Sequence, residues 1–295
     1  MTITLAYVTA RQEPRLERLF ESLRPQLRSD DHLELVLVDF YGRGVEALGV
    51  TRSECFANVI ASKPKPTIWQ GEHRVTQRDF WAMSSARNTA IVLCETSFIA
   101  FLDDRCALSP GWLEVVRAAA QARTSVVAGP YDKQETRGLV VDHRTEQLAK
   151  RGRPSRQTIT GSWLFGGNFC LPLNWALDVN GFEEGCDCVG GEDYIFGQML
   201  ENAGRRLEFD PAMHIVQDRN GIDHPFPRDD KGTSPNDKSH AMNARFGPRT
   251  RTEFTPDLRA LRALRAGGEP WPIPDAALHR DWYDGQPIRE RVLPT

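Results

Sequence analysis

Two short β-favouring runs constrain the fold of this 295-residue chain more than any other feature. Residues 3–10 (ITLAYVTA) carry no charge, and residues 33–40 (LELVLVDF) contain Asp39 near their end. Between them, leucine and phenylalanine recur at three- and four-residue steps, which predicts one amphipathic helix. A strand, a helix and a second strand in this order predict a βαβ unit whose strands are parallel and buried on both faces of a sheet.

The next part of the chain continues this pattern. Residues 81–94 predict a helix, and residues 96–104 (TSFIAFLDD) predict a third core strand. Other predicted elements are strands at 125–131 and 205–218, a strand, turn and short helix within 163–182, and helices at 110–122, 190–204 and 258–264. Three stretches lack such spacing, and we predict an irregular connection at 42–80, an exposed basic excursion at 132–160 and a polar loop at 223–246.

Composition limits the class of partner. The 37 basic and 40 acidic side chains give a net charge of −3, so the chain as a whole does not attract nucleic acid or an anionic membrane. The first residues lack the pattern of a signal peptide, and no apolar run approaches the ~20 residues of a membrane span. We therefore expect a soluble, cytoplasmic protein without a transmembrane segment. Its six cysteines predict free thiols, because the Cys186–Cys188 pair has no second pair at zinc-site spacing.

Carboxylates stand at the ends of two predicted strands. Asp39 ends the second strand, and Asp103 and Asp104 end the third. In open α/β sheets, ligands bind beyond the carboxyl ends of the strands, so these side chains are expected to converge on one site. Adjacent aspartates suit a divalent metal that bridges protein carboxylates to substrate phosphates. The alternative is a pair of solvated aspartates that only terminates a strand.

A second acidic pair opens a predicted helix. Glu192 and Asp193 follow Gly190 and Gly191, and negative charge is stabilised at a helix N-terminus. Capping of the helix is one interpretation. The other is catalytic, because the glycines allow a close approach of another molecule and a carboxylate beside a sugar hydroxyl can act as its general base.

These motifs together resemble the GT-A glycosyltransferases, especially the family 2-like inverting enzymes and the C-terminal part of the galactosyltransferases. The resemblance covers residues 3–218 and rests on ARNTA followed by FIAFLDD, and on GGNFCLPL followed by GFEE and GGEDYIFG. It implies an α/β, Rossmann-like GT-A fold with a mostly parallel central sheet flanked by helices. Residues 1–250 would form this domain, with a nucleotide-sugar-binding half at 1–130 and an acceptor half at 161–250. Residues 251–295 would add a helix and an extended C-terminal tail.

The resemblance also implies roles for individual residues. The donor would be a nucleotide-diphosphate sugar, with UDP as the expected nucleotide, and manganese or magnesium would be the cofactor. The implied donor-binding residues are Thr9, Arg11, Asp39, Arg87 and Asp103. Asp193 would be the general base of an inverting transfer to a saccharide hydroxyl, and Glu192 would position the acceptor. Candidates for acceptor or loop contacts are Gly190, Gly191, Trp163, His224, Lys238 and His240.

The chain departs from the family pattern at two metal positions. Arg105 stands where many relatives carry a third acidic residue, which would make Asp104 the main ligand beside Asp103. Gln217 stands where a late histidine ligand is often found. His214, three residues earlier, is therefore a candidate ligand, although a histidine in a strand is also commonly structural.

The basic excursion leaves an alternative acceptor open. Arg151 and Arg153 lie in RGRP, which resembles the core of an AT-hook that inserts arginines into the minor groove of DNA. The acceptor would then be a hydroxylated base in DNA; a solvated loop or an anionic-glycan contact is the other interpretation. A second alternative is a nucleotidyltransferase, but that class would need a glycine-rich phosphate loop after the first strand, and the chain lacks one there. A third is a binding protein that has lost catalytic activity, which the replacement of an acidic residue by Arg105 would indicate.

Overall fold

The computed structural model describes residues 2–50, 55–67, 82–150, 155–187, 190–220 and 235–274, with only the backbone at 235–239. Within these ranges the strands are β1 (Thr2–Thr9), β2 (His32–Asp39), β3 (Asn58–Ser62), β4 (Phe98–Asp103), β5 (Cys106–Leu108), β6 (Val126–Ala128), β7 (Tyr131–Glu135), β8 (Gly138–Val140), β9 (Gln157–Ile159), β10 (Asn168–Pro172), β11 (Leu207–Phe209) and β12 (Ile215–Asp218). The α-helices are α1 (Leu16–Leu23), α2 (Met83–Leu93), α3 (Trp112–Ala122), α4 (His143–Lys150), α5 (Leu173–Asp178), α6 (Glu192–Asn202), α7 (Pro235–Phe246) and α8 (Leu258–Ala266). None of these helices has the length and apolar composition needed to span a bilayer.

The larger sheet confirms the predicted βαβ unit. Its strand order in the described chain is β3-β2-β1-β4-β10-β6-β11-β9. β1 is parallel to β2 on one side and to β4 on the other, so the direction of strand addition reverses at β1. β10 is antiparallel to both of its neighbours. The carboxyl ends of β1, β2 and β4 therefore lie side by side at the point where this class of sheet binds ligands.

Both faces of this sheet are covered, which explains why its strands lack polar alternation. One face packs against α2, α5 and α6 and includes the aromatic residues Phe101, Phe169, Phe182 and Phe196. The Phe182 and Phe196 rings stack with centroids 4.1 Å apart. The opposite face packs against α1 and α3 around Trp112. Burial of this apolar surface is the main source of stability for such a layered domain.

A smaller sheet in the order β5-β12-β7-β8 stands beside the carboxyl end of β4. β12 is parallel to β7, with Gln217 opposite Lys133, and antiparallel to β5. β7 and β8 form an antiparallel hairpin at the other edge. This sheet holds side chains against the end of β4, as described below.

Two predicted loops prove to be partly regular. The 42–80 connection contains β3, which pairs in parallel with β2. The 132–160 excursion contributes β8, α4 and β9 and most of β7, so the expectation of a purely exposed segment was wrong. Its basic residue Arg144 is fully buried, because its guanidinium contacts both oxygens of Asp142 and donates to the carbonyls of Gly129 and Trp163. The basic composition of this stretch therefore led to the wrong prediction that all of it is exposed to solvent.

Two further predictions need correction. The single strand expected at 205–218 is two strands, β11 in the larger sheet and β12 in the smaller, separated by a turn in which the Met213 amide donates to the Asp210 carbonyl. Part of the polar loop expected at 223–246 is helix α7. The helices expected at 81–94 and 258–264 are confirmed as α2 and α8, while residue 81 and the tail beyond Pro274 lie outside the described ranges.

Candidate active site

The strand ends bring several of the expected donor-binding residues together. Thr9 is in register with Asp39, and Val8 is in register with Asp103. Asp104 follows directly, where its Oδ2 accepts a hydrogen bond from Thr9 Oγ1 at 3.1 Å and lies 3.2 Å from Arg11 Nε. We call Thr9, Arg11, Asp39, Asp103 and Asp104 the strand-end cluster. The convergence predicted from the strand pattern is thus present.

Asp103 is the accessible carboxylate of the pair. Its side chain is 20% exposed, and its oxygens accept from Arg87 at 3.3 Å and from the Tyr131 hydroxyl at 3.0 Å. Gly167 lies against it so closely that a Cβ there would come within 2.9 Å of Asp103 Oδ2. A larger residue at position 167 would therefore have to displace Asp103 or Tyr131. Each Asp103 oxygen retains a lone pair for a ligand.

Asp104 is held inside the protein. Its side chain is 2% exposed, and Gln217 Nε2 donates both to its Oδ1 at 3.1 Å and to its backbone carbonyl at 3.0 Å. Burial raises the pKa of the Asp104 carboxyl to about 6, although the Arg11 charge works in the opposite direction. The geometry therefore makes Asp103, rather than Asp104, the carboxylate that a ligand can reach.

The two departures from the metal pattern have distinct structural outcomes. Arg105 adopts a left-handed backbone with φ 58°, and its guanidinium donates to the Asn220 carbonyl at 2.8 Å and lies 3.4 Å from Asp218. It thus turns away from the carboxylates that precede it. His214 contacts Ser109 Oγ at 2.8 Å through Nδ1 and Asp132 at 3.1 Å through Nε2, which favours a structural role, and its role as a metal ligand stays a prediction.

The strand-end cluster is linked to α6 through one arginine. Arg87, on α2, lies 2.5 Å from Glu192 and 3.3 Å from Asp103. Burial raises the pKa of the Glu192 carboxyl, the Asp193 charge raises it further, and Arg87 works against both. Gly166 packs on the same guanidinium, where a Cβ would meet Arg87 at 2.4 Å. The ARN and ED motifs thus form one buried connection.

Asp193 is oriented by backbone amides. The Gly166 N–H donates to its Oδ2 at 2.9 Å, and the Tyr194 N–H donates to its Oδ1 at 2.8 Å. Gly190 and Gly191 both have φ +83°, a left-handed conformation that glycine adopts without strain. The half-buried carboxylate keeps acceptor capacity for a substrate hydroxyl, as a general base requires.

A cavity of about 340 Å³ lies between α6 and α7 and begins one residue after Asp193. We call it the α6–α7 groove. Its polar lining contains the neutral residues Tyr194, Gln198, Asn202, His240 and Asn243 and the charged residues Glu201 and Arg249. The Tyr194 and His240 rings meet edge to face at 5.9 Å, and Asn243 donates to Gln198 at 2.8 Å. Hydroxyl, amide and imidazole groups of this kind are suited to hydrogen-bonding a neutral polar molecule.

The remaining candidates have mixed outcomes. Asp39 is fully buried and both its oxygens accept from Arg43, which also donates to the Arg11 and Gln12 carbonyls. Trp163 is half-buried, and its carbonyl accepts from Arg144. Arg151, Arg153 and His224 lie outside the described residues, as does the side chain of Lys238.

Sequence reasoning missed two residues that shape the site. Tyr131 contacts Asp103 and Gln217 through its hydroxyl, and Arg43 covers Asp39. Tyr131 is the last residue of a predicted strand (SVVAGPY), where a tyrosine is ordinary strand composition and signals no functional role. Arg43 lies four residues after Asp39, and the two side chains pair because the chain turns between them. The sequence alone does not predict that turn.

Comparison with known proteins concerns the family and the fold of the chain. Residues 69–185 match the model of the family described as "Glycosyl transferase family 2". Pre-mycofactocin glycosyltransferases of two Mycobacterium tuberculosis strains, CDC 1551 / Oshkosh and ATCC 25618 / H37Rv, are each 29% identical over 144 residues. That match covers 46% of this chain but only 30% of the relatives' length.

Solved structures are similar at the level of the fold. GalNAc-T7 with UDP, GalNAc and Mn²⁺ superposes with a TM-score of 0.54 and 14% identity over 80% of this chain and 46% of that one. TarS 1-349 of S. aureus in complex with UDP-GlcNAc gives a TM-score of 0.54 and 14% identity over 76% of this chain and 60% of that one. These likenesses establish the fold predicted from the motifs.

Proposed function

We infer, on the premise that this chain belongs to the family 2 glycosyltransferases and has the GT-A fold, that it transfers a sugar from a nucleotide-diphosphate donor to an acceptor hydroxyl. One observation carries this proposal. Arg87 joins the accessible carboxylate at the strand ends, Asp103, to the ED motif at the start of α6. A donor site and a candidate base are thereby held by the same buried contact.

UDP is the nucleotide that we propose. GalNAc-T7 and TarS, which share the fold, are described in complexes with UDP or UDP-GlcNAc. In this chain, Thr9 ends the first strand beside Asp39 and Arg11 follows two residues later. Both side chains are buried, so we propose that they shape the nucleoside site from below. Arg43 covers Asp39, which limits Asp39 to an indirect role unless that arginine moves.

Manganese or magnesium is the proposed cofactor, and Asp103 is the residue that fits it. Both ions are hard, and magnesium often binds through one or two carboxylates together with substrate phosphates and water. Asp103 offers accessible oxygens, whereas those of Asp104 are engaged by Thr9, Arg11 and Gln217. When bound there, the metal would stabilise negative charge on the diphosphate.

The proposed reaction is a single inverting displacement. The acceptor oxygen forms a bond to the anomeric carbon on the face opposite the diphosphate, and its proton passes to Asp193. The bond between that carbon and the phosphate oxygen breaks, and its electron pair leaves with the nucleoside diphosphate. Asp193 is pre-oriented for this role by the Gly166 and Tyr194 amides, and Glu192, which is held by Arg87, is the proposed acceptor-positioning residue.

A saccharide is the acceptor that we propose. The α6–α7 groove begins beside Asp193, and most of its polar lining consists of neutral hydrogen-bonding groups, with Glu201 and Arg249 as its two charged residues. Such a lining favours a polyhydroxyl molecule over the polyanionic backbone of DNA, because DNA recognition requires several arginines and lysines and the groove offers one arginine beside a glutamate. The RGRP hypothesis remains the alternative, and its two arginines lie outside the described residues.

The test is a transfer assay with product analysis. The purified protein is incubated with UDP-glucose, UDP-N-acetylglucosamine or UDP-N-acetylgalactosamine, with manganese, and with either a set of oligosaccharides or a duplex containing hydroxymethylcytosine. We expect a β-linked saccharide product from the α-linked donor, identified by the coupling constant of its anomeric proton. An α-linked product would contradict inversion, and modified DNA without saccharide product would replace the acceptor assignment.

A further inference from the structure

Two basic side chains share the sheet face that looks onto Asp103. Alternate residues of a strand point to the same face, so Tyr131 and Lys133 of β7 share one face, and Gln217 lies opposite Lys133 on β12. Arg219, just after β12, continues this ladder because its amide donates to the Gln134 carbonyl at 2.8 Å. It therefore points in the same direction as Gln217. The Tyr131 hydroxyl contacts both Asp103 and Gln217, which fixes this face against the strand-end cluster.

Lys133 and Arg219 differ from the other cations around the site. Arg11, Arg43, Arg87 and Arg105 each lie within 3.4 Å of a carboxylate oxygen of Asp104, Asp39, Asp103 and Asp218 respectively. Within the described part of the chain, neither Lys133 nor Arg219 has a carboxylate oxygen within 4.0 Å.

The two unpaired cations are also close enough to influence each other. Lys133 packs its ammonium over the Tyr131 ring, 5.4 Å from the centroid. The Arg219 Nε is buried without a hydrogen-bond partner among the described residues. Burial lowers the pKa of Lys133 and the charge of Arg219 lowers it further, while the carboxylates of Asp103, Asp142 and Glu135 only partly oppose this shift. Such a pair is unfavourable by itself, because each like charge raises the cost of the other, and an anion between them would remove this cost.

We propose that Lys133 and Arg219 form an oxyanion subsite that binds the diphosphate of the nucleotide-sugar donor. This inference rests on the proposed function. A diphosphate beside Asp103 brings negative charge towards a carboxylate, and the nearby cations that face carboxylates are already compensated. Lys133 and Arg219 are free to offset that charge, in the ground state and more strongly as the phosphate oxygen takes the electron pair of the breaking bond.

The test compares ligands that differ only in phosphate. UDP and uridine are titrated calorimetrically into the wild-type protein and the Lys133→Met/Arg219→Gln double variant. A matched control, Lys150→Met/Arg137→Gln, removes two exposed cations from the same part of the chain. We expect the UDP dissociation constant of the double variant to rise at least about tenfold, since each charge-assisted hydrogen bond is strong. The uridine constant and the control variant should remain at the wild-type level.

The charge itself is tested by salt and by rescue. The wild-type affinity for UDP should fall more steeply with sodium chloride than that of the double variant, because the lost attraction is ionic. Lys133→Arg/Arg219→Lys keeps both charges and should recover most of the affinity. Circular dichroism and the melting temperature of each variant show whether it is folded.

The outcomes separate the subsite from the function. If wild-type protein binds UDP and the folded double variant binds it equally well, the subsite is wrong although the donor assignment stands. A double variant that loses uridine affinity to the same extent as UDP affinity would also overturn it, because the effect would then not concern phosphate. Failure of the wild-type protein to bind either ligand would refute the donor assignment, and the subsite with it.

Discussion

The strand-end cluster and the α6–α7 groove differ in how their polar side chains are paired: the cluster uses buried ion pairs, and the groove uses mainly neutral hydrogen bonds. In and beside the cluster, carboxylates and guanidinium groups are buried against each other, as in Asp104 with Arg11 inside it and Arg87 with Glu192 next to it. The groove is an open cavity lined largely by neutral side chains, and one of its hydrogen bonds joins Asn243 to Gln198. Buried charge pairs are rigid and sensitive to the loss of one partner, whereas neutral hydrogen bonds are individually weak.

From this contrast we infer different tasks for the two regions. A rigid charged cluster suits a ligand whose own charge is large and fixed, such as a nucleoside diphosphate. A neutral groove suits an acceptor that is bound through several modest hydrogen bonds. Asp193 stands at the boundary, since it starts the helix that lines the groove and belongs to the motif that Arg87 contacts. Variants on the two sides should therefore separate donor binding from acceptor binding.

The largest effect is expected at this boundary. Asp193→Asn removes the proposed proton acceptor while keeping the size of the side chain, and the transfer rate should fall by about 10²–10⁴-fold. UDP affinity should stay near the wild-type value, because Asp193 is outside the cluster. The control is Asp178→Asn, a surface aspartate paired with Arg205 and Arg259. Simultaneous loss of UDP binding in Asp193→Asn would make Asp193 part of the structure rather than the base.

Arg87→Met should break the connection between the two regions. It leaves Asp103 and the buried Glu192 without their shared partner, and removing one member of a buried ion pair costs about 3–5 kcal/mol. The measurement is the free energy of unfolding from urea titration. Arg205→Met, which removes a partner of the surface residue Asp178, should cost no more than about 1 kcal/mol. Equal costs for the two variants would show that the Arg87 contact does not organise the site.

Asp104 gives the cluster a dependence on pH. Its folded-state pKa of about 6 lies above the ordinary value of 3.8, so the folded chain holds this proton more tightly than the unfolded chain. The resulting stabilisation is present at low pH and is lost as pH rises through about 6, a change of roughly 3 kcal/mol. Asp104→Asn should therefore gain stability relative to wild type between pH 4 and pH 7. A difference that is constant with pH would contradict the burial of an ionisable Asp104.

The smallest effect is expected in the groove. Gln198→Ala removes the amide that accepts from Asn243, and one neutral hydrogen bond contributes about 1 kcal/mol. The KM for a saccharide acceptor should rise a few-fold, while UDP affinity stays constant. Gln147→Ala, an exposed change on α4, serves as the control. If Gln198→Ala changed the UDP affinity and left the acceptor KM unchanged, the assignment of the groove to acceptor binding would be contradicted.

Sequence predicted the parts of the fold that apolar periodicity encodes. The runs that became β1, β2 and β4 are apolar because the sheet is covered on both faces, and α1 and α2 show helical spacing. α4 and α7 were not predicted because their sequences are dominated by polar residues. The burial of Arg144 in α4 could not be predicted from the sequence, because it depends on Asp142 and on backbone carbonyls from distant segments.

The candidate site was predictable to a similar degree. Local motifs placed Asp103, Asp104, Glu192 and Asp193 at strand and helix ends, where the structure has them. The local sequence did not predict which of the two aspartates is accessible. Asp104 is buried by residues that are distant in sequence, among them Gln217, which lies 113 positions further along the chain. The roles of Tyr131 and Lys133 likewise depend on the second sheet, whose pairing joins segments that no motif connects.

The central claim is that the strand-end cluster binds a nucleoside diphosphate. The direct measurement is the melting temperature of the purified protein with UDP, GDP, ADP, CDP and uridine, each with and without manganese, and of Asp103→Asn with the same ligands. A ligand that binds only the folded state must raise the melting temperature. We predict a rise with UDP that manganese enlarges in wild type but not in Asp103→Asn. A wild-type melting temperature unchanged by every nucleotide would contradict the claim.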